Sequence, residues 1–195
     1  MNQRELRRQL VARRKLITPD LARNAGQGAS RHAWALPHMQ RATRIAAYLP
    51  VGGEVDCRVL IEEAWARGRE VYLPVLHGTS LRFRPYTPST RMVMNRFRIP
   101  EPVGGKELPP TALDVAITPL VAFDLAGNRL GMGGGFYDRS FRFLRQRNSW
   151  RHPRLIGLAY EMQRVTAINT HAWDVPLDAA VTESANYVFF PRTSN

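Results

Sequence analysis

The densest chemistry in this sequence lies in Asn128-Arg129-Leu130-Gly131-Met132-Gly133-Gly134-Gly135-Phe136-Tyr137-Asp138-Arg139, where four of the five residues 131–135 are glycine. Glycine lets the backbone take positive φ and approach a ligand with no Cβ in the way. With a helix starting just after the last glycine, the N–H groups there and the helix dipole both favour an anion. Arg129 and Arg139 flank the segment with positive charge, which a plain flexible turn does not require. Neither of two common phosphate loops is present. Gly105-Lys106 is followed by Glu107, so no G-x-x-x-x-G-K-[ST] occurs, and Phe136 takes the last glycine position of G-x-G-x-x-G. The expectation is an anion site of another design.

Three carboxylates are candidates to accompany it. Asp138, at the start of the expected helix, reads either as a cap or as a ligand for Mg²⁺, a hard cation that takes carboxylate and phosphate oxygens together. Asp178, in Trp173-Asp174-Val175-Pro176-Leu177-Asp178, is a second carboxylate or a turn residue. Glu54 follows Gly52-Gly53 in a loop at the sheet edge where ligands collect, and its plain reading is a solvated side chain. His32, His38, His77, His152 and His171 show no zinc spacing, and Cys57 has no C-x-x-C partner. No G-x-S-x-G nucleophile signature exists. These residues suit phosphate handling better than covalent catalysis by a side chain.

The elements that must position them follow from periodicity. Residues 2–17 predict an amphipathic helix with Leu6, Leu10 and Ile17 on one face and Arg4, Arg7, Arg8, Arg14 and Lys15 on the other. Thr18 and Pro19 open a second helix over 19–35, weakened by Gly26 and Gly28, and Pro37 breaks it and opens another short turn. Residues 44–49 read as a buried strand, closed by Pro50-Val51-Gly52-Gly53. Asp56 then caps a helix ending at Gly68. Strands are expected at 70–76, 81–86, 114–119, 154–160, 179–182 and 187–190, with a helix over 136–147. Residues 87–113, rich in proline, read as an irregular connection of the length that serves as a lid or binding loop. Apolar runs alternating with helices predict a largely parallel sheet covered on both faces.

At 195 residues the chain is expected to form a single α/β domain over 1–195, with residues 1–40 packed on the core as helices. No run of about 18 apolar residues exists, so no membrane-spanning helix is expected. The arginine-rich start has no apolar block of a secretory signal, and one cysteine makes no internal disulfide. A cytoplasmic location is the expectation. The formal charge is +12, and residues 1–60 hold 11 basic against 4 acidic side chains. Such a field draws anions: nucleotides, phosphates, polycarboxylates or nucleic acid. Basic residues interleaved with exposed aromatics in the manner of RNA binders are absent, which ranks nucleic acid below small anions. A catalytically silent nucleotide-binding module is the third alternative.

The segment Asn128–Arg139 resembles the signature of the 5-formyltetrahydrofolate cyclo-ligase family, also called 5,10-methenyltetrahydrofolate synthetase. Further family-like pieces run in the same order along nearly the whole chain: Arg4-x-x-Arg7, Ala47-Tyr48-Leu49-Pro50 through Glu54-Val55-Asp56, and Leu73-Pro74-Val75. After them come Asn95-x-Phe97-x-Ile99-Pro100-Glu101-Pro102, Pro119 through Phe123-Asp124, Ile156-Gly157-Leu158-Ala159-Tyr160 and Trp173–Asp178. The resemblance implies a three-layer α/β/α domain with a mostly parallel sheet, of the ribose-phosphate isomerase and CoA-transferase kind. It also implies a monomeric enzyme, without nucleic-acid or membrane partners. That enzyme would convert 5-formyltetrahydrofolate to 5,10-methenyltetrahydrofolate with ATP and Mg²⁺, releasing ADP and phosphate. ATP contacts are then implied for Gln3, Arg4, Arg7 and Arg129 through Tyr137, that is Leu130, Gly131, Met132, Gly133, Gly134, Gly135 and Phe136 between them. Folate contacts are implied for Leu49, Glu54, Phe97 and Met132 to Phe136. Mg²⁺ falls to Asp138 and Asp178, and the developing charge of the reaction to Arg129, Tyr137 and Arg139. Two departures stand out: Gln3 where relatives often carry a basic residue, and Phe136 where tyrosine is common.

Overall fold

The computed structural model describes residues 2–146 and 152–189. In chain order its elements are α1 (Gln3–Arg14), α2 (Pro19–Trp34), α3 (Pro37–Arg41), β1 (Arg44–Ala46), α4 (Arg58–Ala66), β2 (Glu70–His77), β3 (Ser80–Pro85), β4 (Met92–Met94) and β5 (Pro100–Pro102). There follow β6 (Val115–Pro119), β7 (Ala122–Phe123), β8 (Arg129–Leu130), α5 (Phe136–Phe141), β9 (Arg154–Leu158), β10 (Ala179–Val181) and β11 (Asn186–Val188). Seven strands form the main sheet in the order β11-β10-β9-β6-β1-β2-β3. The five from β10 to β2 are mutually parallel, while β3 and β11 close the two edges antiparallel.

Alternation along the parallel strands sends side chains to two separate cores. Ile45, Val71, Leu73, Val115, Ile117, Ile156, Leu158 and Val181 face α2, α3 and α4 and pack with Ala29, Ala33, Met39, Leu60 and Ile61. Ala46, Tyr72, Ala116, Leu155 and Ala180 face the opposite way, onto Phe83, Phe141 and Leu144. Helices therefore cover both faces, giving the three layers. The two glycines inside α2 have a packing reason. A Cβ on Gly26 would stand 2.8 Å from the Asp56 carbonyl oxygen, and one on Gly28 would stand 3.0 Å from the Glu183 backbone. The helix lies against those backbones because it has no side chains there, so glycine's low helix propensity is offset by closer packing.

Several expectations need correction. The segment 87–113 is not irregular throughout: β4 and β5 pair antiparallel, and Pro110–Ala112 forms a 3₁₀ turn. Asp56 does not cap α4 as the first flanking residue. Cys57 holds that position, and the Asp56 carboxylate accepts the Arg58 N–H at 2.9 Å from one place further out. The helix expected over 136–147 is α5 followed by a 3₁₀ stretch, Arg142–Gln146; residue 147, like Phe190 of the last expected strand, lies outside the described residues. The β7–β8 hairpin was not anticipated. Arg14, expected on the solvent face of α1, is 2 % exposed.

Candidate functional site

Parallel strands aligned in one direction bring the loops at their carboxyl ends together. Here those loops, with α1, the tip of the β4–β5 hairpin and residues 171–174, enclose a cavity of about 990 Å³. The glycine segment forms one wall. Gly133 has φ +100° and Gly135 φ +65°, values that strain any residue with a Cβ. Among the described residues, the N–H groups of Gly131, Met132, Gly133, Gly134 and Gly135 donate to no protein acceptor. The first N–H groups of α5 add to the row, because a helix start leaves them without intrahelical partners. The loop is held by its carbonyls instead. Arg7 Nε donates to the Gly131 oxygen at 2.8 Å, and Arg139 donates to the oxygens of Gly134 and Thr79 while lying over the Phe136 ring. Arginines fasten the carbonyl side, and the N–H groups remain available to a ligand.

Arg129 and Asp138 make a close pair at this wall. Arg129 Nη2 lies 2.5 Å from Asp138 Oδ1, with the arginine side chain 5 % exposed. The same oxygen accepts the Val175 N–H, and Oδ2 has no partner among the described residues. Asp138 is thus partly structural and keeps one oxygen for something else. Tyr137 stacks on Phe141 with the Arg129 guanidinium 5.9 Å from its ring centre; burial and the nearby Glu54 charge push its hydroxyl pKa up, and Arg129 opposes them.

The opposite wall comes from the turn after β1. Glu54, 9 % exposed, accepts the Val51 N–H at 3.1 Å and lines the cavity with Tyr48 and Leu49. Burial raises its pKa from 4.5 to about 7, against the lowering influence of the Val51 N–H and of Arg14. A buried carboxyl poised at that value, inside a cavity, is the type of group that function accounts for more readily than solvation does. The hairpin supplies the roof. Asn95 Oδ1 accepts the N–H groups of Phe97 and Ile99, and Glu101 ties the hairpin to β2 by accepting the Leu76 N–H and the Asn95 amide. This bonding sets Phe97, half exposed at the tip, edge-on to Phe136 at 5.8 Å.

Most of the residues expected at a site therefore meet in one cavity: Gln3, Arg7, Leu49, Glu54, Phe97, Arg129 to Arg139 and, between them, the glycines. Arg4 does not line it. Asp178 stands apart, at the amino end of β10, where Arg154 donates to its carboxylate at 2.8 Å and the Leu155 N–H at 2.9 Å. It does not line the cavity that Asp138 lines. Among the described residues no group of three or more His, Cys, Asp or Glu could cage a metal ion. Mg²⁺ is commonly held by one or two carboxylates together with substrate phosphates, and the free Asp138 oxygen beside the N–H row fits that mode. Sequence reasoning missed Arg142, Arg145 and the stacked pair His171–Trp173, whose rings lie 4.6 Å apart at the cavity wall. Trp173 sat within a family-like segment, so a signal existed for it; the arginines were hidden among many others.

A family model described as the 5-formyltetrahydrofolate cyclo-ligase family matches residues 1–183. The 5-formyltetrahydrofolate cyclo-ligase of Escherichia coli is 43 % identical over 179 residues, covering 88 % of this chain and 95 % of that protein. The Haemophilus influenzae protein of the same name is 41 % identical over 180 residues, covering 89 % and 93 %. Among solved structures, the NMR structure of 5,10-methenyltetrahydrofolate synthetase from Aquifex aeolicus superposes with a TM-score of 0.84 at 30 % identity, covering 100 % of this chain and 96 % of that one. A Mycoplasma pneumoniae 5,10-methenyltetrahydrofolate synthetase, 24 % identical, shares the fold with a TM-score of 0.74 over 94 % and 99 % of the two chains.

Proposed function

The chain belongs to the 5-formyltetrahydrofolate cyclo-ligase family, and from that premise we propose that it converts 5-formyltetrahydrofolate to 5,10-methenyltetrahydrofolate at the expense of ATP, in the cavity between the glycine loop and the Glu54 turn. The observation that carries this reading is the row of N–H groups at Gly131 to Gly135 that have no acceptor among the described residues, in a loop that lines the same cavity as the buried Glu54 carboxyl. One wall suits a polyphosphate and the other an uncharged ring with N–H donors.

The chemistry asks for both. The oxygen of the formyl group on N5 is a poor leaving group from its carbon, so it first attacks the γ-phosphorus of ATP and ADP departs. N10 then attacks the formyl carbon, the C–O bond breaks with release of phosphate, and loss of the N10 proton leaves the methenyl bridge. Phosphoryl transfer of this kind is accelerated mainly by positioning and charge compensation. The glycine N–H row takes the phosphates, and Arg7 holds that loop by the Gly131 oxygen, its guanidinium carbon 3.8 Å from where a Gly133 Cβ would stand. Arg129, fixed by Asp138, faces the transferring group. Mg²⁺, held by the phosphates and the free Asp138 oxygen, would supply charge neutralisation along the triphosphate. Glu54 receives N–H donors of the pterin, Phe97 and Phe136 flank its rings, and Arg142 and Arg145 at the wall suit the carboxylates of the glutamate tail.

Purified protein given 5-formyltetrahydrofolate, ATP and Mg²⁺ is expected to build up the near-ultraviolet absorbance of the methenyl product. No rise with all three present, or a full rise without ATP, would overturn the proposal.

A further inference from the structure

Arg14 is a fully buried guanidinium outside the set of residues that touch the cavity, and it sits where two cavity loops meet. Nη2 donates to the Gly52 oxygen at 2.9 Å, in the turn after β1, and Nη1 to the Leu120 oxygen at 3.2 Å, in the loop after β6. Among the described residues Nε has no partner, and no carboxylate lies within 4 Å of the group. Burying an unpaired cation is costly, so its retention calls for a return. The fit is reciprocal. Gly53 has φ +78°, and a Cβ there would lie 3.2 Å from the Arg14 carbonyl oxygen, so turn and arginine are built against each other. Arg14 is also two helical turns beyond Arg7 on the same face of α1. One helix thus grips the glycine loop through Arg7 and the Glu54 turn through Arg14.

We propose that Arg14 is the positioning residue of the folate half of the site: by clamping Gly52 to Leu120 it fixes the turn that presents Glu54 to the ligand. The inference rests on the folate reading of Glu54. Its planar fork is essential, because two carbonyls in different loops must be reached at once, and lysine offers a single point charge on a flexible stem. Its charge has a second effect. Glu54 is surrounded by Arg14 from α1, Tyr48 and Cys57 from either side of the turn, Tyr137 from α5 and Tyr160 from the end of β9, and Arg14 is the one cation among them. It therefore favours the ionised Glu54.

Two variants separate fork from charge. Arg14→Met is expected to raise the KM for 5-formyltetrahydrofolate at least tenfold and to leave the KM for ATP within about threefold. It should also speed hydrogen exchange of residues 51–54 and move the pH midpoint of folate binding upward. Arg14→Lys is expected to raise the folate KM in the same way with the midpoint unmoved. Equal rises in both KM values, an unchanged folate KM, or exchange accelerated throughout the chain would overturn the proposal, as would failure of both variants to fold, which would assign Arg14 to the fold alone. If the wild-type protein shows no turnover, the enzyme reading falls, and exchange at 51–54 still decides whether Arg14 holds the turn.

Discussion

Glu54 has a single N–H donor, from Val51, and little contact with water, so its charged form is poorly solvated and it titrates at about 7 instead of 4.5. The raised value has a fixed sign for stability. The folded chain binds this proton more tightly than the unfolded chain, so the contribution is complete below pH 4.5 and is lost as pH rises through 7. Glu54→Gln removes the charge. It is expected to raise Tm at pH 8 by a few degrees, at ~2–4 °C per kcal/mol for a chain of this size, and to leave Tm near pH 4.5 unchanged. Folate binding at pH 8 should weaken by about one to two orders of magnitude, because an acceptor has been replaced by a group that also donates. Thermal melts across pH, with ligand titrations, check both; a Tm gain equal at both pH values would remove burial of the charge as the cause. A stabilising substitution that costs binding is the expected mark of a residue kept for its ligand.

The two ends of the sheet carry different kinds of carboxylate. Asp138 belongs to the carboxyl ends and faces the cavity, whereas Asp178 at the amino ends is spent on Arg154 and the Leu155 N–H. Asp138→Asn is expected to lower turnover by about 10–100-fold and to raise the Mg²⁺ concentration needed for half-maximal rate. Asp178→Asn should leave that concentration unchanged and cost about 1–3 kcal/mol of stability through the stranded Arg154. A Mg²⁺ requirement moved by Asp178→Asn would contradict this assignment. That Asp138 opens a helix after the glycine loop and Asp178 precedes a strand was legible in the sequence; that Arg154 and the Leu155 N–H occupy Asp178 was not, because those contacts depend on β9 lying beside β10. Nor was the hairpin in 87–113, since Pro100 and Pro102 argue against a strand, yet an isolated two-stranded edge tolerates them. Arg14 misled for a related reason. Helical periodicity assigns arginines to solvent, and only tertiary contact reveals two loop carbonyls waiting for one. What did read correctly was the backbone of the glycine loop at Gly133 and Gly135, whose positive φ is a conformation that residue type favours.

At the scale of the whole molecule, a +12 chain would be expected to spread its field, yet arginines 7, 129, 139, 142 and 145 converge on one cavity. Positive charge with low-dielectric walls concentrates anionic substrates there. No helix among the described residues is long and apolar enough to cross a membrane. The organisation is a bridge: α1 touches both loops, the glycine loop through Arg7 and the turn that carries Glu54 through Arg14. The proposed function depends on the glycine loop binding a nucleotide through its main chain. The direct measurement is a titration of protein labelled with ¹⁵N at glycine, using Mg²⁺ and a non-hydrolysable ATP analogue and following each amide by NMR. The amides of Gly131, Gly133, Gly134 and Gly135 should shift together and saturably, while that of Gly68, on the turn after α4, stays in place. Saturable binding that left the four loop amides unmoved would contradict a phosphate cradle at this loop.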